Sequence, residues 1–142
     1  MKAVVIDASV AMKWFVPEAL SDRADALLDG SFELLAPDLV LPEFGNLLWK
    51  KVTRHELRPD EAKDILQAFV RVPIRVVESR ELIASALEIA TAFRRSVYDG
   101  MYVALAVACD GTMVTADEKL VKALVGGVIG RHVQNLSAVR LG

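Results

Sequence analysis

The chain has 142 residues, 54% of them hydrophobic and 6% aromatic, with a formal net charge of −2. Residues 1–142 suffice for one domain with an aliphatic core, which excludes a disordered chain. The charge excludes a global basic field, so a nucleic-acid partner has to be held by local basic patches or through a metal ion.

Val4-Val5-Ile6 runs straight into Asp7. Such a β-branched run reads as a strand buried on both faces in a parallel sheet. A charge inside it would be costly, so Asp7 belongs at the carboxyl end, where open α/β sheets place their ligands. The alternative is that Asp7 or Ser9 only caps the next helix. Residues 9–16 read as a short helix stopped by Pro17. Residues 19–28 form a second, with Leu20, Ala24, Leu27 and Leu28 on one face and Asp22, Arg23 and Asp25 outside. Residues 32–36 are the second strand. Pro37-Asp38 opens a helix to about residue 51, and Pro42 either kinks it or marks a later start. Pro59-Asp60-Glu61 starts a helix to about residue 70. Residues 74–77 form the third strand.

Ser79 caps a helix through residue 95, and Tyr98-Asp99 begins another that ends near Asp110-Gly111. Residues 112–115 are the fourth strand. Thr115 and Glu118 have capping-box spacing for a helix to about residue 125, stopped by Gly126-Gly127. Residues 131–135 are the fifth strand. Strands alternate with helices, which predicts an α/β/α sandwich around a mainly parallel sheet of about five strands.

The single cysteine, Cys109, lies in an apolar run and reads as a small core residue in a reducing compartment. Apolar runs fall short of the ~20 residues of a membrane span, and Asp7 interrupts any signal-peptide core. The expectation is a soluble, cytoplasmic protein. His55 and His132 lack metal-ligand spacing, and residues 126–130 lack the lysine and hydroxyl of a phosphate loop. Lys50-Lys51-Arg54 and Arg94-Arg95 read as solvated helix faces, although Arg94-Arg95, just before Asp99, also suits an RNA backbone. Trp14 and Phe15 read as core.

Four acids stand out. Val114-Thr115-Ala116-Asp117 repeats the pattern of Ile6-Asp7, so two strand-end acids meet if these strands are neighbours. Asp99 begins a helix, where backbone N–H groups favour negative charge. Glu43 sits among Leu41, Phe44 and Leu47, either as a ligand or at the edge of a solvated face, with Asn46 on its side of the helix. Taken singly, Asp99 and Asp117 also suit helix ends.

The segments Val4-Val5-Ile6-Asp7-Ala8-Ser9, Pro42-Glu43-Phe44-Gly45-Asn46, Tyr98-Asp99-Gly100-Met101-Tyr102-Val103-Ala104-Leu105-Ala106 and Thr115-Ala116-Asp117 resemble the four motifs of PIN-domain ribonucleases. Length and spacing look most like the VapC toxins of toxin–antitoxin pairs. Gly100 stands where alanine is more usual, a departure not expected to impair activity. The resemblance implies a PIN-like fold and a metal-dependent endoribonuclease that leaves 5′-phosphate and 3′-hydroxyl ends. It implies Asp7 and Asp99 as main metal ligands, with Asp117 and Glu43 acting through water or a second ion. Ser9, Asn46 and Thr115 would support the carboxylates. It also implies an antitoxin partner on the helices between residues 38 and 70, and a homodimer.

Physics agrees with the metal. Two like charges ~4–5 Å apart cost about 3–4 kcal/mol at an effective dielectric near 20, so the cluster needs protons or a cation. Oxygen ligands alone favour Mg²⁺, with Mn²⁺ as a substitute. Two rivals stand beside this reading. One is a PIN-like module that binds RNA or protein without cutting. The other is a phosphotransfer protein with Asp7 as nucleophile, weakened because haloacid-dehalogenase-like phosphatases want an aspartate where Ser9 stands, and because the acidic pair of receiver domains is missing.

Overall fold

The computed structural model describes residues 1–140. Strands β1 (Lys2–Ile6), β2 (Phe32–Pro37), β3 (Arg75–Val77), β4 (Thr112–Thr115) and β5 (Val133–Asn135) form one sheet in the order β3-β2-β1-β4-β5. All four pairings are parallel. Val4, Val5 and Ile6 are buried, as the central strand of a sheet covered on both faces demands. The chain steps outward from β1 through β2 to β3, then returns to the far side of β1 to lay down β4 and β5. The order therefore reverses between β1 and β4, and a crevice opens at the carboxyl ends of such a pair. Ile6 pairs with Val114, so the two strands end side by side.

The helices are α1 (Ala8–Met12), α2 (Ser21–Ala26), α3 (Val40–Thr53), α4 (Pro59–Phe69), α5 (Ser79–Phe93), α6 (Val97–Ala108) and α7 (Glu118–Leu124). Helix α6 packs on β1, β2 and β4 and against α5. Its run from Gly100 to Ala106 is buried throughout, which explains why the sequence there is apolar without amphipathic period. At Gly100 the approach to α5 is so close that an added Cβ would lie 2.4 Å from the Ala86 carbonyl oxygen. Helix α3 is pinned by Phe44, which stacks on Phe69 of α4 at 3.9 Å between ring centres, with Phe15 edge-on to both rings. The indole N–H of Trp14 donates to the Ala24 carbonyl. Trp14 and Phe15 are partly buried and pack against the core.

Several element ends differ from the sequence expectation. Helix α1 stops at Met12, and residues 13–15 continue as tight turns rather than running to Pro17. Helix α2 is shorter than 19–28, and Leu28 is exposed. Arg23 does not simply face outward: its guanidinium donates to the carbonyls of Leu136 and Val139 and clasps the C-terminal segment. Helix α3 starts at Val40, and Pro42 falls in its first turn, where an N–H has no partner to lose. Ser79 is not the cap of α5. Glu78 holds that position, and the Ser79 amide and hydroxyl both donate to the Asp38 carboxylate, fixing the start of α3 against α5. Helix α6 begins at Val97 behind Ser96, whose hydroxyl accepts from the Asp99 amide. The Thr115–Glu118 capping box does not form either, because Asp117 caps α7 by accepting from the Leu120 amide. Residues 129–132 form a 3₁₀ turn, leaving β5 three residues long. Among the described residues no helix is long and apolar enough to cross a membrane.

Candidate functional site

The crevice predicted by the strand order is present as a cavity of about 480 Å³, within the range that holds small ligands and reacting groups. Asp7, Glu43, Asp99 and Asp117 all line it, together with Ser9, Asn46, Lys50, Tyr102 and Thr115. Each acid arrives from a different element. Asp7 follows β1 and caps α1, accepting from the Val10 amide at 2.8 Å. Asp117 follows β4 and caps α7. Asp99 lies in the first turn of α6, and Glu43 in the first turn of α3. The capping and ligand readings of Asp7 and Asp117 are thus compatible: one carboxylate oxygen serves the helix while the side chain still borders the cavity.

Thr115 joins the two strand-end acids. Its hydroxyl donates to Asp7 Oδ2 at 2.7 Å and accepts from the Asp117 amide at 3.1 Å. Its side chain is fully buried, so both bonds form away from water. Ser9 donates to Asp7 Oδ1 at 2.8 Å. Even with these donors, burial raises the Asp7 carboxyl above its ordinary value, and the charge on Asp117 adds to the rise. Glu43 is also raised, first by burial and then by the charges of Asp7 and Asp99, while the hydroxyl of Tyr102 donates to its Oε1 at 2.5 Å and opposes the shift. Tyr102 is itself pushed upward by burial and by Glu43, so it stays a donor. Asn46 lines the cavity but makes no hydrogen bond to any of the four acids among the described residues. Substituting Thr115→Val strips the hydroxyl from both neighbours and is expected to lower stability by about 1–3 kcal/mol. Urea unfolding at neutral pH measures it, and a wild-type midpoint would mean the bridge contributes nothing.

A cation already stands in this group. Arg95 Nη2 lies 3.1 Å from Asp99 Oδ2 and 3.4 Å from Asp117 Oδ2, with Nε also donating to Asp99 at 3.2 Å. The solvated-face reading therefore fails for Arg95. It arises because Arg94, at the end of α5, takes a left-handed conformation (φ 56°) that turns the chain toward the crevice. Among the described residues no three acid, histidine or cysteine side chains stand close enough to enclose an ion as they are. The donor set nonetheless suits a hard divalent ion, since the anionic donors around the cavity are all carboxylates, and no imidazole or thiolate lines it.

Tyr102 and Lys50 were not singled out as site residues from sequence, and Arg95 was read there as a solvated residue or an RNA contact rather than as a partner of the acids. Lys50 had a signal, because it lies two turns beyond Glu43 on one helix face. The histidines stay outside the site. His132 is buried, with Nδ1 on the Gly111 carbonyl and Nε2 accepting from Arg131. Cys109 is partly buried at the end of α6, its thiol on the Ala106 carbonyl.

The PIN domain family model matches residues 4–124. Ribonuclease VapC3 of Pyrobaculum aerophilum is 34% identical over 119 residues, spanning 82% of this chain and 91% of that protein. Among solved structures, VapC20 of Mycobacterium tuberculosis, described as a sarcin-ricin loop cleaving toxin, superposes with a TM-score of 0.64 at 19% identity, covering 89% of this chain and 97% of that one. A toxin–antitoxin complex from Klebsiella pneumoniae gives 0.65 at 13% identity, covering 94% and 97%. At these identities the structural likenesses bear on the fold.

Proposed function

The chain belongs to the PIN domain family, and from that premise we propose that it is a divalent-metal-dependent endoribonuclease, the toxin of a toxin–antitoxin pair. One observation carries the reading: four carboxylates from four separate elements border one crevice at the reversal point of the sheet. Asp7 and Asp99 would hold the ion. Mg²⁺, or Mn²⁺ in its place, supplies positive charge to the phosphoryl oxygens and activates water as the nucleophile at neutral pH.

The protein's own groups do the rest. Tyr102 occupies Glu43 Oε1, which leaves Oε2 to orient the attacking water. The raised pKa of Glu43 suits it to take up a proton. Thr115 and Ser9 aim the Asp7 carboxylate, and Asp117 helps to position water. Lys50, a cation in the cavity lining, suits a backbone phosphate. Water as nucleophile leaves a 5′-phosphate and a 3′-hydroxyl.

The partner readings rest on exposed apolar side chains. Leu41 and Trp49 on α3 and Leu66 on α4, with Val70 just beyond it, lie where an antitoxin would cover them. Ile83 and Leu87, one turn apart on α5, suit a homodimer contact. The cytoplasm is the compartment in which such an enzyme meets RNA.

Cleavage of folded ribosomal and transfer RNA is expected with Mg²⁺ or Mn²⁺ and is expected to stop in EDTA. A 2′-deoxy substitution at the cut position should leave it intact. Full activity in EDTA, or cyclic-phosphate ends, would refute the metal-and-water chemistry.

A further inference from the structure

The proposed reading assigns Asp99 to an ion and Asp117 to the water beside it, yet both carboxylates already share one protein cation. Arg95 is not a fixed strut. It comes from the short connection between α5 and α6, directly after the left-handed Arg94. Its side chain is 24% exposed, and its partners Asp99 and Asp117 are 31% and 44% exposed. Ion pairs at that exposure are weak, each amounting to a factor of no more than about five in an equilibrium. The guanidinium reaches Asp99 through two nitrogens and Asp117 through one, and no other basic side chain lies within ion-pair distance of either acid among the described residues. Four acids gathered without a counter-charge would repel, and this arginine offsets that repulsion at the two solvent-facing members, Asp99 and Asp117.

We propose that Arg95 is an exchangeable counter-ion: it bridges Asp99 and Asp117 in the metal-free protein and must leave Asp99 when a divalent cation binds. The inference rests on the metal-dependent reading above and adds a competitor built into the chain. Metal affinity is then set by exchange of one cation for another, and in the metal-free protein the arginine offsets part of the repulsion among the acids. A dication wins the exchange because the pairs it breaks are rim-exposed and because it neutralises more charge than the guanidinium.

The test uses the full-length chain. Mg²⁺ is titrated while the Arg95 Nε–Hε resonance is followed in a ¹H–¹⁵N spectrum, assigned by its loss in Arg95→Lys. Calorimetry measures Mn²⁺ and Mg²⁺ binding to wild type, Arg95→Gln and Arg95→Lys. The wild-type resonance is expected to move to the position of a free, solvated arginine along the same saturation curve as the calorimetric binding. Arg95→Gln is expected to bind about three- to tenfold more tightly than wild type. Arg95→Lys, which keeps the charge but lacks the two-armed grip, should fall between them. A resonance that stays in place while the ion saturates would overturn the exchange, as would unchanged or weaker binding by Arg95→Gln. Absence of binding in all three proteins would remove the divalent-ion reading itself, an outcome distinct from the other two.

Discussion

Asp7→Asn is expected to lower RNA cleavage by about 10²–10⁴-fold, the scale of losing a metal ligand or a proton-transfer group. The same change is expected to stabilise the metal-free protein at neutral pH by about 1–3 kcal/mol. Asparagine keeps the contacts at Oδ1. Its carbonyl still accepts from Ser9 and the Val10 amide, while the bond to Thr115 reverses: the new amide donates to the hydroxyl, which gives up its own donation, a loss smaller than the removed charge penalty. What it removes is a poorly solvated charge. The sign follows from linkage. The Asp7 carboxyl lies above 3.8 in the folded protein, so the folded state holds more protons than the unfolded chain between 3.8 and the raised value. Stability of the metal-free wild type therefore falls as pH climbs through that interval, and the penalty persists above it. Glu43, also raised, acts in the same direction. Melting curves of wild type and variant in EDTA should converge at acid pH and separate toward neutral, the variant melting higher. Mg²⁺ should then stabilise the wild type far more than the variant. A variant that cuts normally, or that melts below wild type at neutral pH, would contradict this account of the crevice.

Gly100→Ala should destabilise the protein by about 1–3 kcal/mol, the cost of overpacking a tight interior. The melting point should drop by roughly 3–10 °C. The added methyl would meet backbone on the facing helix, with the Ala86 carbonyl carbon 3.1 Å and its Cα 3.2 Å away. No rotamer can relieve that, so α6 must move away from α5. Asp99 precedes the substituted position and Tyr102 follows two residues later, so cleavage should weaken as well. Gly45→Ala is the control with opposite sign. Nothing lies within 4 Å of a Cβ there. The change lies inside α3, where alanine is favoured over glycine by about 1 kcal/mol. Two helical glycines thus separate by thermal denaturation, and equal melting points for both variants would refute the close approach.

That glycine shows where sequence reading stops. Asp7, Asp99 and Asp117 stood out because each closes a strand or opens a helix, whereas Glu43 stood out only through the motif it resembles, and the apolar run before Asp7 read as an inner strand. Element ends were harder, because distant partners displace local grammar. Ser79 has the look of a cap, yet Asp38, from the start of another helix, takes both of its donors. Thr115 has capping-box spacing, yet the register of β1 on β4 sets its hydroxyl against Asp7, 108 residues away in sequence. Tyr102 reads as one more apolar residue in a buried helix until Glu43, 59 residues earlier, is seen on its hydroxyl. Arg94 and Arg95 are indistinguishable as a basic pair. The left-handed turn at the first is what delivers the second to the acids.

The pairing of β1 with β4 also governs when the enzyme comes into being. Val4 finds Thr112, and Asp7 finds Thr115, only after more than a hundred further residues have been translated. Contacts of such separation close slowly. A nascent chain that has not yet reached β4 carries Asp7, Glu43 and Asp99 but no finished crevice, so the site closes only once Thr115 and Asp117 have been added.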